Sequence, residues 1–531
     1  MYARAMTDLT SMSLVTPTIE EGEATDLPQV HALNSIRAIF ITSRLASRSE
    51  GNIVEAMQLS ATCLASNIWA IRNCGLMLSR SLIDRVLGTN ESADDFFEGS
   101  TTNATRLSYD KHPGLLDSIM RLLSSASVLH ADTWNGLTDE AAPTLTAEAI
   151  FPVLDLLRRA PPPESLRLEV FKLVEVALKD ASWHVRDMAA RSMAALLPHN
   201  KVRNTLQHLT TITINSDLNE AHGRLLCIKH IVKTVLASAS NTSEMASNAT
   251  LDIIPSILSL FDQKSSLTHL CTSSNSDDVL ASAYLDVLNL LGIYLLAKEA
   301  QNNQSATSLD DTARVSQFVA TSIHVRSQLA MRSRERRGAA ILRIALLKTA
   351  WISFLLSEEL NNELEAVDKL PKIDEEDVAG AVDVLDSLQP YLADCSPEAS
   401  LKLLIQLLQD CGATQSRLRS CLFRHIAGII QGPALQQLLQ SQNIIHALAE
   451  IDIAGSISSC FAPSEFHSAL MLWGYVLACR WLQRASWTAQ MLGEIRVWLR
   501  LCLAGLDDKN VSSRGCHTRG MVAKSSHRSF L

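Results

Sequence analysis

One helix-entry pattern occurs twice in this sequence, 114 residues apart. Trp69 and Trp183 are each followed by a β-branched residue at the second position and an arginine at the third. The apolar residues that follow fall at i, i+3, i+4 and i+11, which is the spacing of one helix face. A polar residue, Asn67 or Ser182, stands shortly before each tryptophan and is a candidate N-cap. The pattern predicts two helices that begin alike and bury the same face.

The helix that precedes the second copy is also visible. Apolar residues from Leu166 to Leu178 form a helical stripe that ends at a turn around Asp180, so the two helices form a hairpin. One hairpin cannot cover its own apolar face and has to stack on neighbours. A separation of 114 residues fits about three repeats of the ~40-residue HEAT/armadillo class. The sequence therefore predicts an all-α fold, an α-solenoid of HEAT/armadillo-like helical hairpins.

Composition agrees with a chain that is nearly all helical. Hydrophobic residues make up 47% of the 531 residues, whereas Gly (20) and Pro (15), which disfavour helix interiors, are few. The length does not require several globular domains, because each repeat of a solenoid contacts only its neighbours.

Common catalytic and nucleotide-binding motifs are missing from the sequence. It has no Gly-rich phosphate loop, no HExxH or GxSxG pattern and no strand followed by GxGxxG. His199, His222 and His230 lie close in sequence, but no spacing supplies the remaining ligands of a metal site. We therefore predict that the chain is not an enzyme and that it holds no cofactor or metal.

The charge of the chain limits its contact with nucleic acid to a local patch. The formal net charge is −9, which argues against DNA binding by the chain as a whole. The strongest basic cluster runs from Arg326 to Arg343, and its densest part is Arg332, Arg334, Arg336 and Arg337. It is a candidate for binding RNA or a partner, with a solvated helix face as the alternative.

Two further sets of residues have both a structural and a functional interpretation. His222 and Arg224 flank a glycine at a predicted helix entry, where exposed N–H groups could hold a phosphate or the residues could form a cap. Trp69, Arg72, Trp183 and Arg186 are expected to be structural: the tryptophan covers the hairpin end, and the arginine bonds the neighbouring turn, for example at Asp180. Direct RNA contact is the less favoured alternative for this set.

The cysteine pattern and the hydropathy of the sequence indicate in which cellular compartment the chain is expected. The eleven cysteines lie singly on apolar faces without a CxxC pair, which favours buried, reduced thiols in the cytosol or nucleus over disulfides or zinc ligands. No transmembrane span is expected, since the nearest candidate, 466–482, contains His467 and Arg480. The first residues lack the pattern of a secretory signal.

Several segments, taken in order, resemble successive motifs of the THADA family. They are Val30-His31-Ala32-Leu33-Asn34, Trp69-Ala70-Ile71-Arg72-Asn73-Cys74-Gly75-Leu76-Met77 with Leu82-Ile83-Asp84-Arg85, His112-Pro113-Gly114, Trp183-His184-Val185-Arg186-Asp187 with Ala189-Ala190-Arg191, and Glu220-Ala221-His222-Gly223-Arg224-Leu225-Leu226. The resemblance assigns residues 28–236 to the later half of the family's signature region and 237–505 to further helical repeats. We expect 1–27 to be a disordered N-terminal segment and 506–531 a disordered basic tail.

The resemblance implies a function that the residues alone do not. Fungal-type members are auxiliary subunits of an FtsJ-like, S-adenosylmethionine-dependent methyltransferase that modifies a 2′-hydroxyl in the tRNA anticodon loop. The expected role is thus a cytoplasmic, non-catalytic scaffold whose partners are that enzyme and tRNA. Residues 1–27 do not contain the family's Arg-Arg-Ser-Ala-Gly motif. A general protein-interaction solenoid, such as an adaptor, and an inactive fragment are the alternatives.

Overall fold

A computed structural model describes most of the helical part of the chain. The described residues are 2–15, 27–87, 109–112, 114–134, 150–210, 217–241, 254–259, 261, 266–273, 277–302, 309–335, 340–359, 370–394, 397–412, 415–431, 446, 448–449, 463–483 and 489–507. Every regular element within these ranges is an α-helix or a 3₁₀ turn. The chain divides into two compact units, 1–271 and 272–531.

The first unit is a succession of helices. Its helices are α1 (Tyr2–Leu14), α2 (Pro28–Ile41), α3 (Ile53–Leu64), α4 (Trp69–Leu87), α5 (Leu115–Trp134), α6 (Phe151–Arg159), α7 (Glu164–Val176), α8 (Trp183–Leu196), α9 (Val202–Thr210), α10 (Leu218–Asn241), α11 (Ile254–Ser259) and α12 (Ser266–Thr272). Single helical turns over 43–52 connect α2 to α3, and a 3₁₀ turn, Ala177–Lys179, follows α7.

Alternate helices of the first unit form two layers. Helices α2, α4, α6, α8 and α10 each contact the next of this series, and α3, α5 and α7 do the same on the other side. Each hairpin thus buries its apolar face partly within itself and partly against the next hairpin. This is the α-solenoid arrangement that the repeated pattern predicts. Ile36, Leu78, Leu82, Val153 and Val185 are among the fully buried side chains of the α2 to α8 layer.

The N-terminal segment is partly ordered, contrary to the sequence prediction for 1–27. Tyr2–Leu14 is a helix that packs on α2, with Met6 buried. The Gln29 side-chain amide also donates to the Val15 carbonyl oxygen at 3.1 Å. The segment is rich in Ser and Thr, so its intrinsic helix propensity is weak, and packing on α2 supplies the missing stabilisation. Residues 16–26 and the predicted tail after 507 lie outside the described part of the chain.

The second unit repeats the same packing. Its helices are α13 (Asp278–Asn302), α14 (Leu309–Glu335), α15 (Ala340–Glu359), α16 (Val378–Asp394), α17 (Pro397–Asp410), α18 (Ser416–Gln431), α19 (Pro463–Gln483) and α20 (Ala489–Asp507). Helix α15 contacts α13, α14, α16 and α17, while α18 contacts α16, α17 and α19. Inside this core the Thr349 hydroxyl donates to Asn289 Oδ1 at 2.8 Å and joins α13 to α15.

Two helices of the second unit are long and apolar enough to cross a membrane. They are Asp278–Lys298 in α13 and Ala340–Ser357 in α15, and 72% of each is buried. The sequence prediction singled out 466–482 instead, because it looked for a run without charged residues. The two helices contain a few charged residues, but their mean hydropathy is still high. Core helices of a stack pass the same length and hydropathy test.

The cysteines in the described ranges match the sequence prediction of buried thiols. Cys63, Cys74, Cys227, Cys271, Cys411, Cys421, Cys479 and Cys502 are all buried. Burial raises the pKa of Cys63 to about 12 and that of Cys479 to about 11, so both thiols are protonated at neutral pH.

Gly223 of α10 lies where two backbones meet. A Cβ at this position would overlap the carbonyl oxygen of Leu178, in the turn that precedes α8. Gly428 of α18 is also helical, but a Cβ there would have no atom within 4 Å.

We predict that Gly223→Ala destabilises the first unit by about 1–3 kcal/mol, because the Leu178 backbone has to move to admit the methyl group. The matched control, Gly428→Ala, should leave stability unchanged or raise it by up to about 1 kcal/mol through better helix propensity. Thermal denaturation followed by circular dichroism compares the two variants. Equal stability of both would show that the close approach at Gly223 is not rigid.

Candidate functional site at the hairpin ends

The turn before α8 is held by Asp180. Its carboxylate Oδ1 accepts the backbone N–H of Ser182 at 2.7 Å, and the residue is buried. In the first copy, Ser66 occupies the equivalent position, three residues before the tryptophan, and its hydroxyl accepts the N–H of Ile68 at 3.2 Å. The sequence prediction named Ser182 and Asn67 as caps. The Ser182 side chain makes no cap hydrogen bond, and in both copies the capping oxygen belongs to an earlier residue.

Arg186 is the centre of this turn. Its Nη1 donates to the carbonyl oxygens of Asp180 at 2.6 Å and Ala181 at 2.9 Å, as the sequence predicts. The same nitrogen lies 2.9 Å from Asn219 Oδ1, and Nε donates to His222 Nδ1 at 3.2 Å. Burial lowers the pKa of Arg186, while the charges of Asp180 and Asp217 oppose the shift. The guanidinium thus joins the α7–α8 turn to α10.

Arg72 repeats the inner part of this arrangement. Its Nη1 donates to the carbonyl oxygens of Ser66 at 2.8 Å and Asn67 at 2.9 Å, the positions equivalent to Asp180 and Ala181. The recurrence of the same contacts indicates that the Trp-x-x-Arg pattern is a device for closing hairpin turns.

A second polar contact joins α8 to α10. His230 Nε2 lies 3.0 Å from Asp187 Oδ1, and Asp187 also pairs with Arg191 at 2.9 Å. His222 and His230, which lie close in sequence, are both buried and contact different residues of α8. Sequence analysis missed Asn219 and the Asp187–His230 pair, because no local pattern relates residues on separate helices.

His222 and Arg224 lie inside α10 rather than at its entry. The helix begins at Leu218, and the Asp217 carboxylate accepts the N–H of Asn219 at 3.2 Å. Residues 222–224 are therefore beyond the first turn, where backbone N–H groups bond within the helix, so the proposed phosphate cradle or cap does not form at these residues. Arg224 instead pairs with Glu220 at 2.7 Å, and Glu220 also binds Lys179 at 3.2 Å.

The two tryptophans are exposed. Trp69 is 71% and Trp183 54% accessible, and the Trp183 ring lies 3.8 Å from the ring of His184. The prediction that the tryptophan covers the hairpin end is therefore wrong: the arginine makes the structural contacts, and the aromatic ring faces outward. Exposed tryptophans at equivalent points of two hairpins are characteristic of contact surfaces.

The basic cluster predicted from the sequence is only partly described. Arg332 and Arg334 lie in the last turns of α14, but their side chains, and Arg336 and Arg337 altogether, lie outside the described part. Arg343, at the end of the predicted cluster, binds the Asp377 carboxylate at 2.6 and 3.0 Å and so joins α15 to the 3₁₀ turn Glu375–Asp377 before α16.

Two family models match most of the first unit. A family model described as THADA/TRM732, DUF2428 matches residues 2–70, and one described as Trm732, C-terminal TPR repeats matches residues 72–231. The N-terminal part of the chain is similar to the THADA/Trm732 family. The family match begins at residue 2, earlier than the residue 28 that the sequence motifs indicate, and it includes α1.

Named relatives of the THADA/Trm732 family match the chain in part. The tRNA (32-2'-O)-methyltransferase regulator trm732 of Schizosaccharomyces pombe is 29% identical over 218 residues, 39% of this chain and 14% of that protein. The regulators named THADA of Gallus gallus and Homo sapiens are 25% and 26% identical over 316 and 307 residues, 57% and 55% of this chain. Those matches cover 16% and 15% of the two relatives, so the chain corresponds to a small part of each.

Within the family region, we predict that Arg186→Lys lowers the free energy of unfolding by about 2–3 kcal/mol. A lysine cannot reach the turn carbonyls, Asn219 and His222 together, so buried polar groups lose their partners. Urea denaturation measures the change. Arg191→Lys is the control, because the Arg191 side chain is 42% exposed and its ion pair should contribute less than about 1 kcal/mol. Equal losses in the two variants would contradict a central role for Arg186.

Proposed function

We propose that this chain is a non-catalytic auxiliary subunit for 2′-O-ribose methylation of tRNA in the anticodon loop. Its partner in this proposal is an FtsJ-like, S-adenosylmethionine-dependent methyltransferase, and the site of action is the cytoplasm. The observation that carries the proposal is the family match over residues 2–231, together with relatives named as regulators of a tRNA (32-2'-O)-methyltransferase.

The geometry of the hairpin ends supports a scaffold rather than a catalyst. Two side-chain contacts cross from α8 to α10: Arg186 bonds to His222, and Asp187 bonds to His230. All four are buried or nearly so, which keeps them away from a substrate. In this proposal they make the first unit rigid, and the chemistry resides in the partner enzyme.

The exposed tryptophans supply a candidate surface for that partner. Trp69 and Trp183 project from turns that are pinned by Arg72 and Arg186, so each ring is presented on a rigid base. A preorganised aromatic side chain loses little entropy when a partner covers it, which is why tryptophan is enriched among the residues that dominate binding energy. We assign Trp69 and Trp183 to the methyltransferase contact.

The tRNA contact is assigned to Arg332, Arg334, Arg336 and Arg337. The chain carries a net charge of −9 and repels RNA except where positive charge is concentrated locally. Arg224 is not part of this assignment, because Glu220 already neutralises it.

The first test reconstitutes methylation with labelled S-adenosylmethionine, tRNA, the purified chain and an FtsJ-like methyltransferase. We expect no incorporation with the chain alone, capture of the methyltransferase on the immobilised chain, and more ribose methylation when both are present. Trp183→Ala should weaken capture by roughly tenfold or more, as removal of a dominant contact does. Leu168→Ala is the matched control, since Leu168 is 55% exposed in the same unit.

Each other outcome of this test has a definite meaning. Methylation by the chain alone would overturn its non-catalytic assignment. Capture without stimulation would favour a general interaction solenoid, and absence of both would favour an inactive fragment. Equal capture by the Trp183 and Leu168 variants would remove the tryptophan from the interface.

The second test changes the four arginines 332, 334, 336 and 337 to alanine. We expect weaker tRNA binding by the complex and a flatter dependence on salt, by about one unit of log–log slope for each phosphate that the chain no longer neutralises. Changing the same four residues to lysine preserves the charge and should preserve most of the binding. An unchanged slope in the alanine variant would identify the cluster as a solvated face, and loss of methyltransferase capture would identify it as a protein-binding surface.

A further inference from the structure

A cysteine, a histidine and an aspartate meet between two helices of the second unit. Cys421 and His425 lie one turn apart on α18, and Asp386 lies on α16, which packs directly against α18. Cys421 and His425 are buried, at 5% and 6% accessibility, whereas Asp386 is at the edge of the helix contact. A buried thiol and a buried imidazole thus share one partly accessible carboxylate.

The ligand atoms of this cluster lie close to the spacing of a metal site. Asp386 Oδ1 lies 3.0 Å from His425 Nε2 and 3.7 Å from Cys421 Sγ. One ligand atom from each of the three residues lies within 4.8 Å of the other two. Tetrahedral zinc, with bonds of about 2.0–2.3 Å, places its ligand atoms about 3.3–3.7 Å apart. Small side-chain adjustments would bring all three atoms to that spacing. Among the residues that the structure describes, one group of three His, Cys or acidic side chains has all its ligand atoms within 4.8 Å of one another, and it is this cluster.

A cationic group already lies between two of the three side chains. Arg424 Nη2 donates to Asp386 Oδ1 at 2.6 Å and to Cys421 Sγ at 3.4 Å. The Arg424 side chain is 54% exposed, so it can swing into solvent without opening the core. The cluster therefore attracts positive charge, and the group that now supplies it is replaceable.

We propose that Asp386, Cys421 and His425 form a binding site for a thiophilic divalent cation, Zn²⁺, which takes the place of the Arg424 guanidinium. A ligand set of one sulfur, one imidazole nitrogen and one carboxylate oxygen suits zinc, whereas Mg²⁺ and Ca²⁺ prefer oxygen alone. On binding, the Cys421 thiol loses its proton to solvent, and the proton on His425 Nε2, which now donates to Asp386, moves to Nδ1, so that sulfur and Nε2 each offer a lone pair to the metal. Water completes the fourth position on the exposed side of Asp386.

The ligands of this site come from two different helices, α16 and α18. A bound ion would therefore hold these two neighbouring helices of the stack together.

The test uses the full chain, freed of metal, and Co²⁺ as a coloured substitute for Zn²⁺. We expect one equivalent of Co²⁺ to produce tetrahedral ligand-field bands with thiolate-to-metal charge transfer, and Zn²⁺ to displace it. Cys421→Ser and His425→Gln should abolish the signal. Cys411→Ser should retain it, because Cys411 is a buried thiol of the same unit whose sulfur contacts the backbone of Gly412 and Gln415, away from the cluster.

The Arg424→Gln variant tests the proposal through a gain in zinc affinity, which a misfolded protein would not show. Removal of the competing positive charge should tighten Zn²⁺ binding by about tenfold, and the bound ion should raise the melting temperature of this variant more than that of the parent chain at the same zinc concentration. The proposal is overturned if no thiolate-linked band appears, if the band survives Cys421→Ser, or if Arg424→Gln leaves the zinc affinity unchanged.

Discussion

No helical hairpin of this chain can bury its apolar face alone, and the rest of the structure depends on that constraint. Helices α2, α4, α6, α8 and α10 contact one another in series, and α13, α15 and α17 do so in the second unit. Backbones in such a stack approach closely only where side chains are small. Gly75, packed against α3, and Gly223, packed against the turn before α8, mark two of these places.

Stacking also buries carbonyl oxygens of the hairpin turns, and the arginines supply their hydrogen-bond donors. Carbonyl oxygens in the turn before α8 are covered by α10 and need donors inside the protein. Arg186 bonds two of these carbonyls and extends to Asn219 and His222, while Arg72 bonds the equivalent pair in the first copy. Because the guanidinium satisfies the turn, the tryptophan three positions earlier is free to face solvent. A single short pattern therefore closes a hairpin and presents an aromatic ring.

The buried polar side chains between helices have different roles in the two units. In the first unit, Arg186 bonds to His222 and Asp187 bonds to His230, and both contacts join α8 to α10, which fits a rigid scaffold whose useful surface lies outside. In the second unit, Cys421, His425 and Asp386 share their hydrogen bonds with an exposed arginine that can leave. The first set of contacts holds two helices together, and the second has an exchangeable member.

The sequence by itself determined the fold class, most helix positions and the contact between Arg186 and its own turn. These follow from periodicity and from interactions within about six residues, which local patterns record. Tertiary structure alone decided that Trp69 and Trp183 face outward, that Tyr2–Leu14 is helical, and which residues meet across helices. Asn219 lies 33 residues from Arg186, His230 lies 43 from Asp187, and Cys421 lies 35 from Asp386. The rotation and axial offset of packed helices bring such pairs together, and these depend on how all the side chains of an interface interlock, which no single stretch of sequence specifies.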